Sequence, residues 1–172
     1  MSNGKSITFL NFILRDVIFP SFCVCCGNNV SSDYVVCHKC NEKINLEVKN
    51  YTGNYVFRLE EAIHGKRKWF LDDGVWIFKY EEPIAKLIYE LKFKNNKSIS
   101  LLLAKYCIKA LDYVGWEFDY ITYVPISKER LWKRGFNQSE IISKYIGKSY
   151  KKDVLDMFFI QNNKTAQKNL SS

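Results

Sequence analysis

Cys23-Val24-Cys25-Cys26-Gly27 and Cys37-His38-Lys39-Cys40 form two C-x2-C knuckles with ten residues between them. A tetrahedral zinc ion takes four soft ligands at about 2.3 Å, and a C-x2-C turn aims two thiolates at one point. Two such turns close one site, which makes residues 20–48 a zinc-ribbon-like module. Gly27, directly after the second thiolate, suits the left-handed residue that a knuckle requires. Buried free thiols or a disulfide pair are the plain alternatives, but a reducing compartment removes disulfides and four thiols at this spacing are rarely accidental. The expected ligands are Cys23, Cys26, Cys37 and Cys40, with Cys25 and His38 as possible substitutes. Four thiolates leave no open position for a water, so the zinc is expected to be structural.

A second constraint lies at residues 120–146. Tyr120 to Val124 is β-branched and aromatic and reads as a buried strand, which Pro125 ends because proline cannot donate to a ladder. A basic loop is expected next, with Lys128, Arg130, Lys133 and Arg134 against the single acid Glu129. Asn137, with Glu140 three residues on, is a capping-box-like start to an amphipathic helix that carries Ile141, Ile142, Tyr145 and Ile146. Strand end, cations and helix N-terminus thus converge where open α/β sheets bind anions.

At these residues the chain resembles the ComF family of phosphoribosyltransferase-like proteins, which includes late competence proteins. The likeness rests on Val124-Pro125-Ile126-Ser127-Lys128-Glu129-Arg130 and Arg134-Gly135-Phe136-Asn137-Gln138, with support from the cysteine cluster and from the Leu91-Lys92-Phe93 end of residues 80–93. It covers about Pro20 to Asn169. The resemblance points to the same cysteine pair, Cys23 with Cys26, and implies a type I phosphoribosyltransferase-like α/β domain. It gives Pro125 to Ser127 contact with pyrophosphate, with Lys128, Arg130 and Arg134 as nearby cations and Asn137 and Gln138 at the helix start, while Gly135 lets the backbone approach closely. Arg134 is the first choice for phosphate contact because a guanidinium grips phosphate oxygens in bidentate fashion. The family further implies a role in DNA uptake, a competence helicase-type partner and, in a full-length member, magnesium with phosphoribosyl diphosphate.

Lysine plus arginine at 26 against aspartate plus glutamate at 18 gives a net charge of +8, which favours polyanionic partners such as single-stranded DNA or a phosphorylated ligand. Ile7, Leu10, Leu14, Val17 and Ile18 predict an amphipathic helix over residues 6–18, ended by Pro20 and docked on the protein's own core. Asn11, Arg15 and Asp16 break its apolar run, so no membrane span is expected and the protein reads as cytoplasmic.

Residues 41–74 are the least informative, with a basic cluster at His64, Lys66, Arg67 and Lys68 that reads as a solvated face. Val75 to Tyr80 is expected as a strand, Pro83 as the first residue of a helix carrying Ile84, Leu87, Ile88 and Leu91, and Ser98 as the cap of the next. That next helix has Ile99, Leu102, Leu103, Tyr106, Cys107, Ala110 and Leu111 on its core face, so Cys107 is a core residue and not a nucleophile. Six lysines and one acid, Glu90, lie between Lys86 and Lys109. Interleaved with Phe93 and Tyr106, they either form a single-strand nucleic-acid track or face water while the aromatics face the core.

Val154 to Ile160 reads as a second strand, parallel to Tyr120–Val124, with an exposed apolar edge. Thr165, Gln167, Leu170 and Ser171 resemble a short element of the family, but the paired acids and Thr-Thr-Gly that bind ribose and 5′-phosphate in type I enzymes do not follow. Asp72-Asp73-Gly74 precedes a strand and has no Thr-Thr-Gly after it. The expected organisation is an N-terminal helix (1–19), a zinc-ribbon-like module (20–48) and an incomplete parallel-sheet domain (75–172). Three functions compete on these grounds: a truncated ComF-type phosphoribosyltransferase without transfer activity, a zinc-containing single-stranded DNA-binding module, and a non-functional remnant.

Overall fold

The computed structural model describes residues 20–54, 56–58, 73–94 and 96–160. The helix expected at 6–18, the basic cluster at 64–68, Asp72 and the element at 165–171 lie outside the described residues.

Near the start, β1 (Ser21–Phe22) pairs antiparallel with β2 (Asn29–Val30). Between them the chain turns tightly: the Cys23 N–H donates to Asn28 O at 2.7 Å and Gly27 N–H to Cys23 O at 2.8 Å. Gly27 takes φ +77°, the left-handed conformation that a side chain resists.

The stretch that looked uninformative contains helix α1 (His38–Asn54). Ile44 and Val48, one turn apart, are its buried face, while Leu46 is exposed. Then β3 (Val56–Arg58) pairs antiparallel with β4 (Asp73–Val75), Val56 opposite Val75. The strand expected over 75–80 is therefore earlier and shorter.

Helix α2 (Ile84–Phe93) buries Ile84, Leu87 and Leu91; Pro83 is its N-cap, after a cis peptide bond, and not its first turn. Helix α3 (Ser98–Val114) buries Ile99, Leu103, Tyr106 and Ala110, as the apolar spacing requires, and begins at Ser98 with Lys97 as the cap residue. Gly115 ends it at φ +67°. Cys107 is half-buried, and burial pushes its thiol up to about 11, which suits an inert packing residue.

Last come β5 (Tyr120–Thr122), α4 (Lys128–Arg134), α5 (Gln138–Tyr150) and β6 (Asp153–Leu155). β5 and β6 are parallel, Tyr120 opposite Asp153 and Thr122 opposite Leu155, with α5 between them in sequence. Gly147 of α5 lets the helix lie close to β6, since a Cβ there would sit 2.7 Å from Val154 Cγ2 and 2.8 Å from Lys152 O.

The expected phosphoribosyltransferase-type sheet is not seen among the described residues, which form three separate two-stranded sheets. β4 pairs with β3 and so does not extend the parallel pair. β6 stops at Leu155, opposite Thr122 where β5 ends, and 156–160 continue as irregular backbone. With one neighbour among the described residues, β5 is not a buried strand: Tyr120 is 61% exposed.

The interior is continuous. Cys23, Val36, Ile44 and Val48 from the cysteine-bearing part pack in one cluster with Ile84, Leu87, Leu91, Ile99, Leu103, Tyr106 and Phe136. Lys86 Nζ also donates to Cys25 O at 3.2 Å, tying α2 to the first knuckle.

Candidate metal centre and basic helix

The two knuckles meet. The sulfurs of Cys23, Cys26, Cys37 and Cys40 all lie within 4.8 Å of one another, and Cys26 Sγ is 3.7 Å from Cys37 Sγ. Four sulfurs about 2.3 Å from a central ion in tetrahedral geometry stand about 3.8 Å apart, so the cluster has the dimensions of a zinc site. Neither substitute ligand joins it. Cys25 is outside the cluster, its thiol raised to about 12 by burial and by the charge of Cys23, and His38 Nδ1 faces Glu42 at 3.4 Å on the surface.

The backbone prepares the thiolates. Burial drives the Cys23 thiol up, but donors from the backbone of Cys37, Cys26 and Cys25 outweigh it and bring it to about 6. Cys40 is raised by burial and by the neighbouring sulfurs of Cys37, Cys26 and Cys23. A divalent ion reverses such repulsion, because each sulfur then faces a positive charge.

The second knuckle differs from a zinc ribbon. Instead of lying on a second hairpin, Cys37 directly precedes α1 and Cys40 sits in its first turn, with Asn41 N–H donating to Cys37 O at 2.9 Å. The positive end of the helix dipole thus points at the sulfurs and favours their charged form.

The basic segment after β5 is a helix, not a loop. Ser127 caps α4 by accepting from Arg130 N–H at 3.3 Å, Glu129 lies in the first turn, Lys133 and Arg134 lie in the last, and Gly135 closes it at φ +70°. All are ordinary helix start and stop signals, and they were legible at Ser127 to Gly135.

Asn137, the N-cap of α5, and Ser139 in its first turn anchor α5 to the backbone just after β5. Asn137 Nδ2 and Ser139 Oγ donate to Val124 O at 3.1 and 3.2 Å, while Asn137 Oδ1 accepts from Ser139 N–H at 3.1 Å. Asn137 is buried and its side chain is committed to these bonds. Glu140 pairs with Lys144 at 2.6 Å and does not reach back to complete a capping box.

Among the named cations, Lys128 and Arg130 are exposed, and Lys133 is held by Glu129 at 2.7 Å. Arg134 Nη1 donates to Gln138 Oε1 at 3.3 Å, and its guanidinium carbon lies 6.0 Å from the centre of the Phe93 ring. Burial and the charge of Arg130 lower the Arg134 pKa, and neither guanidinium forms an ion pair among the described residues. An anion between them would relieve that repulsion.

Phe93 is 63% exposed and packs on Tyr89 with ring centres 5.0 Å apart. Lys97 Nζ stands 5.4 Å from the Phe136 ring beside this group. Tyr106, the other aromatic of the expected track, is buried and takes no part. Sequence reasoning overlooked Tyr89, although its exposed position one turn before Phe93 was readable from the helical period.

Comparison with known proteins bears on this site. The chain is 36% identical over 73 residues to the DNA utilization protein YhgH of Escherichia coli K12, and 33% identical over 73 residues to that of Salmonella typhimurium. The chain is similar to DNA utilization proteins. The matched stretch is 40% of this chain, and it spans about a third of the length of these relatives, 32%. No protein-family model matches the chain, and no solved structure matches it. Among the described residues, no helix is long and apolar enough to cross a membrane.

Proposed function

We propose that the chain is a ComF-type, phosphoribosyltransferase-like protein that holds single-stranded DNA in service of DNA uptake. Its cysteine cluster binds one structural zinc, and its contact surface is built from α4 and the exposed end of α2. The observation that carries this reading is the approach of Arg134, with Arg130 beside it, to the exposed Tyr89–Phe93 pair. Bases stack on such aromatics whatever their identity, while guanidiniums hold the phosphates between them. The net charge of +8 and the similarity to DNA utilization proteins support the same conclusion.

A second reading has its own support. The cations stand at the carboxyl end of β5 in a parallel β-α-β unit, where small phosphorylated ligands bind in α/β folds.

Titration of labelled single-stranded DNA into the protein and into Arg134→Ala tests the proposal. Binding is expected to be weak, to fall as salt rises from counterion release, and to drop by about tenfold in the variant. Equal affinity of the two proteins would remove Arg134 from the site. Displacement of the DNA by inorganic pyrophosphate at equal concentration would favour the small-ligand reading.

A further inference from the structure

A cavity of about 700 Å³ lies between the β1–β2 hairpin with the segment after it, the start of α1 and one face of α3. This is the size of sites that enclose small molecules. Its walls include Val36 and Tyr106, both buried, and half-buried Leu102. Tyr34 also lines it and keeps 66% of its surface open to solvent.

Two cations line the same cavity from successive turns of α3. Lys109 Nζ donates to Asn45 Oδ1 at 2.6 Å, which fixes its ammonium. Lys105 is exposed and has no hydrogen bond or ion pair among the described residues. Asp33 contributes one carboxylate to the lining.

We propose that this cavity binds a nucleoside monophosphate unit, with the planar base against Tyr34 and the apolar wall, and the phosphate on Lys105 and Lys109. The chemistry selects this class in three steps. An exposed phenol ring beside apolar side chains offers a face to a flat heterocycle. Ammonium groups four residues apart on a helix stand one turn from each other, close enough to share one phosphate. A carboxylate on the remaining wall can accept from a sugar hydroxyl or a base amino group. A free nucleotide and a nucleotide of single-stranded DNA both present this base and phosphate, and titration with each separates the two sources. The site lies on residues other than those of α4 and does not depend on the function proposed for Arg134.

The test uses the zinc-loaded full chain, isotope-labelled for amide spectra, titrated with deoxyadenosine 5′-monophosphate. Saturable shifts are expected at the amides of Tyr34, His38 and Lys105. Tyr34→Ala and Lys105→Ala should each weaken binding by about tenfold, while Tyr34→Phe and Lys105→Arg bind like the parent. Zinc content verifies that each variant keeps its fold, and Lys105→Ala decides the matter if Tyr34→Ala does not. A 15-residue oligodeoxyadenylate that binds more tightly than the monophosphate and is weakened by Lys105→Ala identifies the polymer as the source. Equal affinity of the two ligands identifies the free nucleotide. The proposal is overturned if these amides show no saturable shift, if Lys105→Ala binds as well as the parent, or if inorganic phosphate alone binds as tightly as the nucleotide. Arg134→Ala should leave the saturable shifts at Tyr34, His38 and Lys105 unchanged, since Arg134 does not line the cavity, so failure here and failure of the α4 surface are separable.

Discussion

Tyr106 Oη donates a 2.7 Å hydrogen bond to Asn41 Oδ1, joining the middle of α3 to the first turns of the helix that carries Cys40. The donor residue is buried, and its ring meets Phe78 edge-on at 6.0 Å. Tyr106→Phe keeps the ring but leaves the Asn41 oxygen without its partner. The expected loss is about 1–2 kcal/mol of stability, read from urea unfolding, and an unchanged midpoint would show that the bond contributes nothing.

One zinc per chain is expected by metal analysis. Cys37→Ser should reduce it well below one equivalent and lower the unfolding midpoint, because binding free energy of a structural zinc is folding free energy. Cys25→Ser and His38→Ala should retain the metal, since neither residue belongs to the sulfur cluster. Less than half an equivalent in the unmodified protein would end the zinc reading.

Gly147→Ala places a methyl group against Val154 Cγ2 and Lys152 O, at 2.7 and 2.8 Å. The backbone oxygen cannot swing aside, so α5 must move off β6. A cost of about 1–3 kcal/mol is expected, with a fall in thermal midpoint as the measurement.

Tyr150 Oη bonds Asp112 Oδ1 at 2.5 Å and approaches Ile108 O at 3.3 Å. Burial, then the Asp112 carboxylate, push its phenol up to about 12 from an ordinary 10.0. Folding therefore favours the neutral form. Its contribution is complete below pH 10.0 and is lost as the pH rises through about 12. The unfolding midpoint of the parent should fall across that window, and Tyr150→Phe should show a shallower fall.

Met157, Phe158, Phe159 and Ile160 follow β6 with large exposed surfaces, Phe159 at 87%. Exposed apolar residues beside a strand edge that no described residue pairs with favour association between molecules. Phe159→Lys should raise the concentration at which light scattering first appears, and an unchanged threshold would place the cause elsewhere.

How far the sequence reached is clear from particular residues. Cys23, Cys26, Cys37 and Cys40 were legible because metal-ligand spacing is a local property of the chain, and so were α2, α3 and α5, whose apolar residues recur every three or four positions. The parallel pairing of β5 with β6 was also legible, from a strand, a helix and a strand in succession. Helix α1 was harder to see, since Ile44 and Val48 are a thin apolar stripe on a polar segment that is held by packing on α3 and by Asn41 and Asn45. Strand limits were decided outside the strands themselves: β6 ends at Leu155, where its partner β5 ends at Thr122, and β4 pairs with β3 instead of joining a wider sheet. Only the tertiary structure could bring Arg134 to Phe93, set Lys105 and Tyr34 on one cavity, and leave Cys25 out of the four-sulfur cluster. Spacing along the chain fixes which side chains share a face, but distance between elements depends on how their faces pack.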